Sequence, residues 1–167
     1  MQVSDAFVDF LASWEGERLE AYQVQGESFW TIGVGHARTI DGKPIHKGMR
    51  ITREKSRALL KEDLKEAEAA VKRLVPWRWR RRRRRFETCV SLTFNMGAEI
   101  LTADPPLTSF GEALKQKPIT KTAIAKCAKT IELYNKGGSP PRVMAGLVRR
   151  REAEKTLFTT GRYIHNK

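Results

Sequence analysis

The sequence contains no apolar run approaching the roughly 20 residues that a membrane-spanning helix requires, which argues against a helical membrane anchor. Asp5, Asp9 and Glu15 interrupt its first hydrophobic segment, so no ordinary secretory signal is expected and the chain should start out in the cytoplasm. Cysteine is scarce. Cys89 and Cys127 are the only two, each inside a helix-like apolar pattern, and buried free thiols are expected in place of a disulfide. His36, His46 and His165 are the three histidines, and none belongs to a grouping with zinc or calcium spacing, so no metal and no cofactor is implied. There is no internal repeat, and the single low-complexity stretch is Arg80 to Arg85. With 167 residues and 40% hydrophobic content, the chain can bury one good core, which favours a single domain.

Acidic residues are short in the second part of the chain. Residues 1–76 carry 12 Lys/Arg and 12 Asp/Glu, whereas residues 77–167 carry 20 and 7, so the whole net charge of +13 lies beyond Pro76. Such an excess attracts nucleic acid, anionic lipid or an acidic wall polymer, and charge alone does not choose among them.

Periodicity supplies the layout. Ser4 is a plausible N-cap for a helix through Phe7, Phe10, Leu11 and Trp14 that stops at Gly16 and leaves Glu15 at its C-terminus. From Leu19 to His36 the residues turn β-like around Gln25-Gly26-Glu27-Ser28, and Asp41-Gly42 marks a second turn, so a small antiparallel sheet is expected. Thr52 then caps a helix expected over Arg53 to Val75, with Leu60, Leu64, Ala67, Val71 and Leu74 on one face. It is about 35 Å long, enough to join two lobes, and Pro76 ends it. Beyond it, Phe86, Val90, Thr93 and Phe94 predict a helix ended by Gly97, and 113–114, 119–134 and 143–158 read as further helical segments. The second half is expected to be all helix and turn.

Five blocks resemble the phage-type lysozymes, glycoside hydrolase family 24: WEGERLEAY (14–22), TIGVGH (31–36), ITREKSRALLKEDL (51–64), SLTFNMG (91–97) and GLVRRREAEKTLF (146–158). Their order and approximate spacing over nearly the full length also match. The resemblance implies an α+β, lysozyme-like fold in one domain. A small β-containing lobe (14–52) would be joined by a connecting helix (53–75) to a larger helical lobe (76–167), with the helix over 4–14 packed on the latter. It further implies a monomer made in the host cytoplasm and released to the cell wall. Its implied substrate is the β-1,4 bond between N-acetylmuramic acid and N-acetylglucosamine in bacterial peptidoglycan.

Glycoside hydrolysis needs a proton for the leaving oxygen and usually a second carboxylate that activates water or attacks the sugar. Glu15 matches the family's general acid. The negative end of a helix and a partly apolar cleft, Trp14 included, would disfavour its charged form. Thr31 matches the family threonine associated with the attacking water, although a β-branched residue also simply suits a strand. The family's aspartate falls two residues after the hairpin tyrosine, and here that position is Val24. The loop is one residue longer than usual, and counting back from Thr31 selects Gln25 instead. Glu27 is the nearest candidate substitute, ahead of Glu20, and both otherwise read as solvated charges.

The resemblance also implies that His36 pairs with Asp63 in a structural role. It places Phe94, Thr108 and Ser109 against sugar, and one arginine among 149–151 across the cleft from Glu15. The run Arg80 to Arg85 conflicts with its helix, because stepping back from Phe86 and Val90 puts Arg82 or Arg83 on the buried face. Fraying of the first turns or snorkelling would resolve that. A solvated basic face that steers the protein toward anionic walls and membranes is expected before membrane disruption, with no specific nucleic acid. The leading function is an inverting muramidase, and the alternative is a catalytically impaired cationic protein that binds walls or membranes.

Overall fold

Ser4 begins the first helix as a side-chain cap, its hydroxyl accepting from the Phe7 N–H at 3.2 Å, in a computed structural model that describes residues 1–102 and 109–166. Helix α1, Asp5–Glu15, buries Phe7, Val8, Phe10, Leu11 and Ala12 and stops at Gly16, whose φ of 78° a side chain would resist. Strands β1, Arg18–Gln23, and β2, Trp30–Gly33, pair antiparallel with Tyr22 opposite Thr31 and Gln23 opposite Trp30. The Glu27 N–H closes their connection on the Val24 carbonyl at 3.0 Å, and Gly26 supplies the positive φ. Asp41 and Gly42, both at positive φ, make the second turn, bridged by Ile40 and Lys43. Ala21, Ile32, Ile40 and Ile45 form a small apolar cluster of their own.

Helix α2, Arg53–Leu74, ends one residue short of expectation, with Val75 as its C-cap. Leu60, Leu64, Ala67 and Val71 pack into the main core with Phe7, Phe10 and Leu11 of α1, while its first turns meet β2. That approach is close: a Cβ on Gly33 would come 3.0 Å from the Ser56 hydroxyl. Thr52 caps α2 by accepting from the Lys55 N–H. The Glu54 backbone N–H and the Thr52 hydroxyl hold the Glu54 carboxyl below its ordinary 4.5, so its contribution is present above the carboxylate range and is lost as pH falls through the folded value. Replacing Thr52 by Ala is expected to cost about 1 kcal/mol, read as a fall of roughly 2–4 °C in Tm.

After Pro76 come α3, Trp77–Arg80, and α4, Arg83–Met96, then a 3-10 turn over Ala98–Leu101. Helices α5, Ser109–Leu114, α6, Lys121–Ile131, and α7, Ala145–Thr160, complete the larger core. Two expectations are corrected here. The second half is not all helix and turn, because β3, Lys136–Gly137, pairs with β4, Arg142–Val143; two residues per strand are too few to show alternation in the sequence.

The second correction concerns the arginine run. The buried arginine is Arg85, not Arg82 or Arg83: Arg82 is extended (φ −94°, ψ 119°) and lies outside α4, and α4 is buried on every side from Arg85 to Thr93, so burial there does not follow the helical step back from Phe86. The Arg85 guanidinium lies over the Trp79 ring at 5.3 Å and the Phe158 ring at 5.9 Å. Cys89 and Cys127 are free and buried. Burial raises both thiols, Cys127 to about 12, which leaves them protonated and unreactive at neutral pH. No helix of the described residues is long and apolar enough to cross a membrane.

Candidate active site

Glu15 is the last residue of α1, and the junction behind it is pinned to α2 by ion pairs. Arg57 holds Glu17 at 2.6 Å and Asp9 at 2.7 Å, and Arg53 holds Glu17 at 3.3 Å. The Glu15 side chain meets α7, where Arg150 Nη2 donates to Oε1 at 2.5 Å. Of the three arginines at 149–151, Arg150 is therefore the one that faces Glu15. Glu15 Oε2 has no bonding partner among the described residues.

Arg150 is itself buried and held from behind. Its Nε donates to Glu154 Oε1 at 3.3 Å, one turn along α7, and Ser91 Oγ of α4 donates to the same oxygen at 2.6 Å. Arg151 Nη1 lies 2.8 Å from Glu154 Oε2, an ion contact outside hydrogen-bond angles, and its Nη2 donates to Asn95 Oδ1. Two carboxylates and two guanidiniums thus alternate from the surface into the core: Glu15, Arg150, Glu154, Arg151. Glu154 and Arg151 are almost wholly excluded from solvent. Burial pushes the Glu154 carboxyl up from its ordinary 4.5, against the downward pull of Arg151 and Arg150. A group that keeps its proton longer in the folded chain than in the unfolded one stabilises most at low pH, and that share is lost as pH rises through the folded value.

Thr31 is buried in β2 and shares a face with Tyr22, its cross-strand partner. Val24 opens the hairpin turn with 44% of its surface exposed, Gln25 is exposed and Glu27 is half-buried. No hydrogen bond or ion pair joins Glu15 to any of the three. The Glu27 side chain has no partner among the described residues, although its carbonyl accepts from Gln23 Nε2. The Glu20 carboxylate pairs with Arg50 at 2.7 Å.

His36 Nδ1 lies 2.9 and 3.1 Å from the two Asp63 oxygens, joining the loop after β2 to α2. An open cleft of about 470 Å³ runs beside this pair, lined by Gly35 and Arg38, by Asp63 and Glu66 of α2, and by Thr93 and Phe94 of α4. Phe94 thus faces the cleft while also packing on the main core. Glu15 does not line this opening. Trp14 turns away from it, packing on Phe10 and donating Nε1 to the Ile164 carbonyl; the tail over 161–166 claims it, and the expected apolar wall at Glu15 is not formed by this residue. Thr108 lies outside the described residues, and Ser109 is described only as the first residue of α5. Among the described residues no group of three or more His, Cys, Asp or Glu could hold a metal ion.

Residues 12–154 match the family model described as phage lysozyme. The chain belongs to the phage lysozyme family. As a glycoside hydrolase of that family it is 34% identical over 158 residues to the endolysin of Salmonella phage P22, covering 95% of this chain and 98% of the relative. It is 33% identical to the endolysin of Bacillus phage B103 over 96% of this chain but only 55% of that longer relative. Among solved structures, the endolysin of phage FAHEc1 of Escherichia coli superposes with a TM-score of 0.79 at 28% identity, covering 98% and 97% of the two chains. A P22 lysozyme mutant gives 0.77 at 34% identity, covering 96% and 99%.

Sequence reading of this lysozyme missed the support behind Glu15. Glu154, Ser91 and Asn95 are ordinary polar residues by type, and only their burial singles them out. One signal was available: Arg150, Arg151 and Glu154 stand at i, i+4 and i, i+3 spacing on a helix whose neighbours Ala153, Leu157 and Phe158 are core residues.

Proposed function

We propose that the enzyme is an endolysin-like muramidase that hydrolyses the β-1,4 bond between N-acetylmuramic acid and N-acetylglucosamine in bacterial peptidoglycan, with Glu15 as general acid. The observation that carries this reading is the division of labour at the Glu15 carboxyl. Arg150 takes Oε1 and fixes the group, leaving Oε2 free to carry a proton. In the reaction that proton passes to the glycosidic oxygen as the C1–O bond breaks, and a water held by Thr31 attacks C1 from the opposite face with inversion. The water's proton leaves to the side of the 24–27 turn, where Glu27 is the available carboxylate. Phe94, beside the cleft, is assigned to sugar packing, and His36 with Asp63 to fixing the loop after β2. Thr108 and Ser109 stay as candidate sugar contacts from the resemblance alone.

The test is the chemistry of the ends produced. Purified peptidoglycan treated with the enzyme and then borohydride should yield reduced N-acetylmuramic acid ends. Reduced N-acetylglucosamine ends would contradict the bond assignment, and no new ends at all would favour an impaired binder. Val24 is the observation behind that second reading, since an apolar residue stands where the family has its aspartate. If the missing carboxylate limits rate, Val24→Asp should raise the rate of end release about tenfold or more, a conservative share of what a positioned base contributes. Val24 is exposed, so little change in stability should accompany it.

A further inference from the structure

The N-terminal end of α4 gathers more positive charge than the carboxylate beside it neutralises. No side chain caps this 14-residue helix and its first turn has no acid, so the helix end itself favours an anion. A groove of about 460 Å³ opens there, lined by Arg82, Arg83, Arg84, Arg85, Glu87 and Tyr163 among others. Glu87 is already engaged: it accepts from the Ser4 N–H, the Ser4 hydroxyl and the Tyr163 hydroxyl, and lies 3.5 Å from Arg83. Among the described residues no carboxylate pairs with Arg81, Arg82, Arg84 or Arg85.

Two arginine donors beside the groove are buried and, among the described residues, unanswered. Arg85 is 6% exposed, and its Nε has no acceptor; neither does the buried Nε of Arg84. A buried guanidinium without a counterion is costly; Arg85 turns inward over Trp79 and Phe158, so an anion in the groove would offset its charge from the outer side, and phosphate is an anion that arginines suit. Burial and the neighbouring charges of Arg84, Arg82 and Arg81 also press the Arg85 guanidinium toward its neutral form, which an anion would relieve. On the short helix α3 that precedes these arginines, Trp77 is 63% exposed, with the Arg81 guanidinium 5.5 Å from its ring centre. An exposed tryptophan under an arginine suits the boundary between headgroups and acyl chains, where a wall phosphate polymer would offer it nothing apolar.

We propose that this groove binds the phosphate of an anionic phospholipid headgroup, with Trp77 entering the interface, so that the enzyme docks on a membrane surface through the start of α4. The site is separate from Glu15 and does not depend on how the glycosidic bond is cut.

The test uses the full chain and sedimentation with vesicles of phosphatidylglycerol and phosphatidylcholine, against phosphatidylcholine alone, at fixed ionic strength. The parent should partition onto the anionic vesicles only. Each groove arginine removed should weaken binding roughly fivefold, so R82S/R84S should lose about 25-fold while its release of ends from peptidoglycan stays at the parental rate. W77S should also bind more weakly, whereas K126S/K129S, removing the same charge from the exposed face of α6, should stay within about threefold of the parent. The proposal is overturned if R82S/R84S binds as the parent does, or if the α6 variant loses as much, which would mean diffuse charge. Unchanged vesicle binding by W77S would overturn it too, because a phosphate polymer such as teichoic or nucleic acid would then fit the arginines as well as a bilayer.

Discussion

Glu15→Gln is expected to release new reducing ends from purified peptidoglycan about 10²–10⁴-fold more slowly than the parent, the share of rate that a positioned general acid supplies. The substitution keeps shape and leaves an oxygen that still accepts from the charged Arg150 guanidinium, as the protonated carboxyl does, so the fold should survive. What is lost is the proton on the second oxygen. Because Glu15 carries the bond-breaking proton and makes no other ionic contact among the described residues, the loss should fall on kcat, with KM changed far less. A variant that digested peptidoglycan at the parental rate would remove Glu15 from the mechanism.

Glu154→Gln should have the largest effect on stability. The carboxylate lies between two arginines and is fully excluded from solvent. Neutralising it leaves Arg150 with Glu15 alone and Arg151 with no carboxylate, a loss of up to about 3–5 kcal/mol for a broken buried pair, offset in part because the charge that burial disfavours is gone too. For a chain of this size that is roughly 6–20 °C in Tm. A glutamine keeps the volume, so the loss would not be a cavity effect. Because burial raises the carboxyl in the fold, the variant should also lack the parent's decline in stability as pH climbs above the ordinary 4.5. At temperatures where it remains folded, Arg150 loses its anchor behind Glu15. Glu154 is a positioning residue in this account, so kcat should fall about tenfold or more with KM near the parental value, and Glu154→Asp should recover part of the loss.

These two carboxylates mark the boundary of what the sequence revealed. Glu15 stood out as a candidate because it sits at a helix end inside a recognisable block. Ser4, Gly16 and Thr52 announced their helix boundaries for a local reason, since caps and positive-φ glycines act within a few residues. The hairpin was legible from β-like residues flanking Gln25 and Gly26. Glu154 was not, because its partners lie on α4 and at the end of α1, and long-range burial has no short-range signature. Arg85 was misplaced by three residues or two because a one-sided helical step was counted back from Phe86, whereas α4 is buried on every side from Arg85 onward to Thr93 and Arg82 lies outside it. Trp14 was assigned to the cleft from its neighbourhood to Glu15, yet adjacent helical residues point in different directions and the tail over 161–166 draws it away. The missing aspartate at Val24 was visible in the sequence, and the turn geometry leaves Val24 exposed with Glu27 as the nearest acid in the turn.

Leaving-group dependence probes the central claim most directly. Rates of the parent and of Glu15→Gln should be compared on peptidoglycan and on a peptidoglycan-derived oligosaccharide whose terminal N-acetylmuramic acid bears a nitrophenyl leaving group, which departs without protonation. If Glu15 is the general acid, the variant loses most of its rate on peptidoglycan and little on the activated glycoside. An equal loss on both substrates would contradict the account, because Glu15 would then be stabilising the sugar cation or attacking it, and the proton would come from another group.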